Sequence, residues 1–182
     1  IVAILESAGA RPHFLVDVVL SPVDQVRRAI DDDALQVAVV DEYGTSPIHL
    51  AAELWRPDIV ELLLSRGGNA MARDAHEDTP LHLLAIHPQD GVLWWGDKRN
   101  EDFAERFSED EQIAVGESLV ANGADVGARN WRMLTPLHRA VRAVRARYVS
   151  FLLDHGADIN AADIAGDTPL RRAVTEKGRV EM

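Results

Sequence analysis

A Ser/Thr-Pro pair recurs four times in this chain, as Ser46-Pro47, Thr79-Pro80, Thr135-Pro136 and Thr168-Pro169. The prolines lie 33, 56 and 33 residues apart, so the middle interval is one 33-residue period plus 23. Recurrence at a period of this length demands a stack of like units in place of one closed core. Each pair opens a similar segment: Ile48-His49-Leu50-Ala51-Ala52, Leu81-His82-Leu83-Leu84-Ala85, Leu137-His138-Arg139-Ala140-Val141 and Leu170-Arg171-Arg172-Ala173-Val174. Three of the intervening blocks close alike, with Leu62-Leu63-Leu64 before Gly67, Leu119-Val120 before Gly123-Ala124-Asp125, and Phe151-Leu152-Leu153 before Gly156-Ala157-Asp158.

The recurring residues describe a helix-turn-helix unit. A Ser or Thr hydroxyl caps the first helix, and Pro at its first position gives up an amide that has no partner there. Ala51, Ala85, Ala140 and Ala173 are small enough to let neighbouring helices approach. The Leu/Val/Phe triplets give the second helix an apolar stripe. Gly67, Gly123 and Gly156 can take the left-handed conformation that ends it. A short β-turn-like loop then runs through Asp41, Asp74, Asn130 or Asp163 to the next cap. One unit cannot bury its own faces, but a stack of them can.

With these residues in place the chain resembles the ankyrin-repeat family, whose Thr-Pro-Leu-His motif stands at 79–82 and 135–138 and whose Gly-Ala-Asp motif stands at 123–125 and 156–158. The resemblance covers roughly residues 13–182 and implies an all-α ankyrin-repeat solenoid with one inserted loop. We expect a single domain over 1–182, with an N-terminal capping region at 1–40 and repeats at about 41–73, 74–129, 130–162 and 163–182, the last incomplete. Within the second of these the extra residues, 87–109, fall between its two helices. Residues 13–40 keep the period without the motif, and residues 1–10 resemble Ile59–Gly68. The chain lacks an initiator Met and is compatible with being a window cut from a longer protein.

Composition narrows the function classes. The chain has 182 residues, nearly half of them apolar, which suits a sizeable core. It has no Cys, which removes disulfides, thiolate chemistry and Cys-based zinc sites. Its formal charge of −11 argues against nucleic acid and anionic membrane as partners. Basic residues are almost all Arg, as in a GC-rich genome.

His49, His82 and His138 are the obvious candidates for catalysis. Three copies at one repeat position mark a requirement of the fold, and the family resemblance implies that each imidazole bonds turn backbone. His76, His82 and His87 lack metal-site spacing, and the run Asp31-Asp32-Asp33 lacks the alternating oxygens and Gly of a calcium loop. No phosphate-binding Gly loop or nucleophile elbow occurs. We therefore expect no enzymatic activity, no cofactor and no metal.

The resemblance implies a binding face made of the turn tips and the outward positions of the first helices. The tips carry Glu42, Tyr43 and Thr45, then Ala75, His76 and Asp78, then Trp131, Arg132 and Leu134, then Ile164, Ala165 and Asp167. The outward helix positions are Leu50, Leu83, Arg139 and Arg171, with Glu53, Leu54, His87 and Arg142 beyond them. Tyr43 and Trp131 are natural interface anchors, unless Trp131 folds back on its neighbouring unit. The insertion carries Val92-Leu93-Trp94-Trp95, which either packs on the array or anchors a partner, and Phe103 and Phe107 are spaced to share a helix face. From Val126 to Leu153 there are six arginines and no acid until Asp154, whereas Asp97–Glu117 is rich in Glu and Asp. The arginines either form a patch for an acidic segment or phosphates, or pair with the acidic stretch of the same chain.

The sequence thus points to a protein-binding module in which Tyr43, His76, Trp94, Trp95, Trp131, Arg132, Arg139 and Arg142 are the candidate contacts. Its expected partner is another protein, and the chain is expected to be monomeric and cytoplasmic. The alternative is a targeting domain of a larger enzyme or of a secreted bacterial effector delivered into a host cell.

Overall fold

The computed structural model describes residues 21–86 and 108–180, over which the chain is a helical stack without strands. The elements are α1 (Val23–Asp32), a 3-10 turn (Ala34–Ala38), α2 (Pro47–Glu53), α3 (Pro57–Ser65), α4 (Pro80–Leu83), α5 (Glu109–Ala121), α6 (Pro136–Arg142), α7 (Ala146–Asp154) and α8 (Pro169–Val180). They form two layers. First helices α2, α4, α6 and α8 pack in series, and α1, α3, α5 and α7 pack in series behind them.

One strip of core runs the length of the stack. Ile48, Leu81 and Leu137, each following the proline, are buried, as are Leu63, Leu119 and Leu152 of the second helices. Fully burying such a side chain contributes about 1.5–3 kcal/mol. Ala51, Ala52, Ala85 and Ala140 are also buried, so the helix axes meet over methyl groups. At the N-terminal end Val26 and Ile30 turn the apolar side of α1 into the same core. Tyr148 adds a tie between the layers, since its hydroxyl donates to the Leu81 carbonyl at 2.8 Å.

The repeated His is the joint between units. His49 accepts the Ser46 amide on Nδ1 at 3.2 Å, and its Nε2 meets the Asp78 carbonyl of the next unit at 3.0 Å. His82 does the same from the Thr79 amide (3.1 Å) to the Leu134 carbonyl (2.9 Å), and His138 from the Thr135 amide (3.1 Å) to the Asp167 carbonyl (3.1 Å). An Nδ1 that accepts an amide leaves the proton on Nε2, so each ring is neutral and donates across the joint. Both ring nitrogens are spent on the fold, which removes the trio from any catalytic or metal-binding role. The fourth unit has Arg171 at this position, and Leu170, matching Ile48, Leu81 and Leu137, is 69 % exposed.

The insertion changes the middle of the stack. In the flanking units the turn between helices closes when the Arg56 amide donates to the Ala51 carbonyl (2.9 Å) and the Arg145 amide to the Ala140 carbonyl (3.0 Å). Gln112 stands at the position of Arg56 and Arg145, counting back from Gly67, Gly123 and Gly156. Its side-chain amide, instead of a backbone amide, reaches the Leu84 carbonyl at 2.7 Å, and the Trp55 indole shares that carbonyl at 3.1 Å. The Arg145 guanidinium lies over Trp55, 5.6 Å from the ring centre, bridging the two flanking units. Helix α5 has 13 residues against nine in α3 and α7, because Ser108 and Glu111 form a capping box that adds the turn Glu109–Gln112. The last residue of the 87–109 segment therefore opens the second helix. Trp94, Trp95, Val92, Leu93, Phe103 and Phe107, and the likeness of residues 1–10 to a second helix, lie outside the described residues.

Buried imidazoles make the stack sensitive to acid. Burial, opposed by the bond to the Leu134 carbonyl, holds His82 down at about 4 against 6.5 for a free imidazole, and burial lowers His49 and His138 too. Below pH 6.5 the unfolded chain binds protons that the folded chain refuses, so the stability these rings contribute is lost as pH falls from 6.5, for His82 down to about 4. His82 alone accounts for about 3 kcal/mol over that window. Urea unfolding between pH 7 and pH 4 is expected to show the decline, and a flat profile would contradict the neutral, buried imidazoles.

Candidate partner-binding face

Each turn tip is built on one side chain. Asp41 Oδ1 accepts the amides of Tyr43 (2.9 Å) and Thr45 (2.8 Å), and Asp74 Oδ1 accepts those of His76 (2.8 Å) and Asp78 (2.9 Å). Asn130 Oδ1 holds Arg132 and Leu134, both at 3.0 Å, and Asp163 Oδ1 holds Ala165 (2.8 Å) and Asp167 (2.9 Å). A side-chain oxygen that binds two amides fixes a loop that would otherwise be loose.

The tips are also bonded to one another. The Ala75 amide donates to the Tyr43 carbonyl (2.7 Å), Trp131 to His76 (3.2 Å) and Ile164 to Arg132 (3.0 Å). The result is a continuous ridge along one edge of the stack. Tyr43 is 48 % exposed on it, Trp131 57 %, Met133 41 % and Ile164 67 %. Trp131 stays out of the core, although it meets its neighbouring unit at His76. His76 is exposed beside it, with ring centres 6.5 Å apart, and the Arg132 guanidinium lies 5.7 Å from the indole centre. Tyr43, His76, Trp131 and Arg132 are thus brought onto one ridge.

The other expected contacts are arranged differently. Arg139 pairs with Asp78, which is buried and also takes a 2.8 Å bond from the Asn130 amide group. Asp78 and Leu134 are buried beneath the tips, and Leu54 and Leu83 are buried instead of facing outward, which corrects their placing on the exposed face. Asp78 and Leu134, directly before the caps Thr79 and Thr135, turn inward to meet the adjoining unit, whereas Thr45 and Asp167 at the same place are partly buried. Arg142 is exposed near the end of α6. Glu53, partly buried nearby, has its pKa raised by burial, with Arg139 acting against the rise.

Most of the Arg-rich stretch is engaged within the chain. Arg147 meets Asp110 at 2.6 Å and Glu109 at 3.8 Å, so the acidic stretch does pair with part of the patch. Arg129 donates to the Ala162 carbonyl at 2.9 Å. In the last unit Arg171 pairs with Asp167 at 2.7 Å and Arg172 with the buried Asp163. Of the three histidines close in sequence, His82 is buried and doubly bonded, His76 sits on a tip, and His87 lies outside the described residues.

Two residues on the ridge escaped the sequence reading. Glu77 and Met133 stand three positions after Asp74 and Asn130, where the outer tips have Gly44 and Gly166 after Asp41 and Asp163. All four positions are left-handed, with φ of 57°, 59°, 72° and 79° respectively. Aligning the tips on their Asp or Asn would have exposed the two non-Gly residues.

The Arg139–Asp78 pair separates a structural from a partner-binding Arg. Removing the guanidinium leaves Asp78 charged and buried, which is expected to cost about 3 kcal/mol. We expect Arg139→Ala to destabilise by that amount in urea unfolding and Asp78→Asn in the same chain to restore most of it. A loss well under 1 kcal/mol would show that Arg139 serves something other than the fold.

Comparison with known proteins agrees with this geometry. The profile for ankyrin repeats in many copies matches residues 119–173, and that for a single ankyrin repeat matches residues 43–75. The chain is 34 % identical over 140 residues to the mouse B-cell lymphoma 3 protein homolog and 35 % identical over 140 residues to human B-cell lymphoma 3 protein. Each of these alignments covers 76 % of this chain but 27 % of the relative, so the chain spans about a quarter of their length. An ankyrin repeat protein of fowlpox virus is 30 % identical over 139 residues, covering 70 % of this chain and 73 % of the viral protein. The repeated caps, the His joints and these matches together place the chain in the ankyrin-repeat family.

Proposed function

We propose that the chain is a non-catalytic protein-recognition module that grips its partner along the tip ridge and the adjoining exposed first-helix residues, Arg142 among them. The observation that carries this reading is the ridge itself, where exposed aromatic and apolar side chains stand on turns held by two sets of hydrogen bonds. Aromatic and Arg side chains supply most affinity at protein interfaces, and rigid loops bind with less lost entropy. An adaptor, inhibitor or targeting role would each use such a face, and an adaptor acting as a monomer in the cytoplasm is the form we propose. Trp94 and Trp95 belong to the proposal as a second contact, supported by the apolar cluster they form in the sequence.

Photo-crosslinking in cell extract tests the reading. Crosslinking side chains are placed on the ridge at Tyr43, His76 and Ile164, and on the opposite layer at the exposed Glu61, Ala114 and Ser150. The same protein is expected to be captured from the ridge positions and not from the opposite layer. Capture from the opposite layer alone, or from neither, would overturn the proposal. Repeating the capture with Trp94→Ala/Trp95→Ala measures the share of the insertion.

A further inference from the structure

We infer that the two middle tips, His76-Glu77 and Trp131-Arg132-Met133, are the anchor of the ridge and that they take a protein segment in which a carboxylate side chain stands beside an apolar one. The inference rests on the ridge being the partner-binding face, and it names what the partner carries there.

The backbone sets the middle tips apart from the outer ones. Glycine meets the left-handed requirement freely at Gly44 and Gly166, whereas Glu77 and Met133 hold the same conformation against the steric preference of an L side chain. Space explains Gly44, since a Cβ there would come within 3.2 Å of the Ala75 nitrogen. It does not explain the contrast at the far end, where a Cβ on Gly166 would meet nothing within 4 Å. The unit with room to spare has glycine, and the middle units carry side chains under strain. The same conformation recurs at Trp55 (φ 50°) and Val144 (φ 58°) in the turns between helices, so it is the contrast with the outer tips, together with exposure on the ridge, that points to contact. Met133, two residues after Trp131, is exposed with it, so that two large apolar side chains stand in water on one turn.

Charge selects the partner. Among the described residues Arg132 has no carboxylate partner, although Arg73 pairs with Glu77 in the neighbouring tip (3.6 Å), Arg139 with Asp78, and Arg171 with Asp167. Glu77 thus has a cation of its own nearby, and Arg132 is the cation of the anchor that no described carboxylate meets, on a chain of formal charge −11. A guanidinium lying over an indole still has N–H donors to offer a carboxylate, and the indole beside it offers an apolar surface. An acidic group next to an apolar side chain satisfies both at once, and a basic segment would meet repulsion at Arg132.

An array of immobilised synthetic peptides tests this. Its peptides pair Asp or Glu with Leu, Phe or Trp at several spacings, beside matched peptides in which the acid is Lys or Gln. The labelled full chain is compared with Arg132→Glu, Trp131→Ala, Met133→Gly and Arg142→Ala, all exposed positions, each checked for an unchanged or raised unfolding midpoint. The acidic–apolar peptides are expected to bind, more weakly as salt is raised, and to lose about tenfold or more with Trp131→Ala or Arg132→Glu. Arg132→Glu is expected to move preference to the Lys peptides. Met133→Gly is expected to raise the unfolding midpoint while weakening binding, the mark of strain retained for contact. Preference for basic or neutral peptides, no binding to any acidic–apolar peptide, or equal binding to wild type and ridge variants would overturn the inference. Peptide binding lost only with Arg142→Ala would overturn the anchor while leaving the first-helix part of the face in place, whereas failure of ridge crosslinking would remove the face itself.

Discussion

A neutral imidazole that accepts an amide of its own unit and donates to a carbonyl of the next is the contact on which this structure depends. At His49, His82 and His138 it couples the start of one first helix to the turn that precedes the following one. A unit of two short helices has too little core to stand alone, so its register against a neighbour has to be fixed by something directional. Apolar burial drives the units together but would tolerate sliding, and the imidazole bond would not. A buried ring that lost either partner would leave polar groups unsatisfied, each at about 1–3 kcal/mol. The joint is therefore cooperative, because every ring is held from both sides.

The tips inherit their order from these joints. The carbonyls that receive the imidazoles belong to Asp78, Leu134 and Asp167, the residues that close the tips. Fixing them fixes the turn hung on Asp74, Asn130 or Asp163, and brings neighbouring turns within bonding distance. Exposure of Trp131 and Met133 is thus a consequence of how the stack is joined. The arginines follow the same logic, since Arg139 and Arg172 neutralise Asp78 and Asp163, two acids that the turns bury. A stretch that reads as a cationic patch is largely internal wiring, whereas among the described residues no carboxylate pairs with Arg132.

Much of this was legible in the sequence because the determinants are local. Caps, N1 prolines, small alanines and terminal glycines lie within a few residues of what they control, so the period 33 reveals unit, layer and joint together. Residues paired over long separations were not legible. Asp78 meets Arg139 across 61 positions, and nothing near Asp78 signals that it faces inward. Gln112 takes over at Leu84 the bond that backbone amides make at Ala51 and Ala140, and with 28 positions between the partners nothing local signals it. The left-handed Glu77 and Met133 lie between these cases. They were readable by alignment with Gly44 and Gly166, but the eye is drawn to aromatics before turn geometry.

A ridge that recognises partners as a preformed surface requires its tip-to-tip bonds to open only when the stack does. Amide hydrogen exchange at Ala75, Trp131 and Ile164, the three donors that link the tips, tests this most directly. Protection at all three approaching that of the core amides of Leu63 and Leu152 is the expected result. Exchange at the rate of an unstructured peptide, with the core still protected, would show that the tips are separate loops and would contradict a rigid ridge.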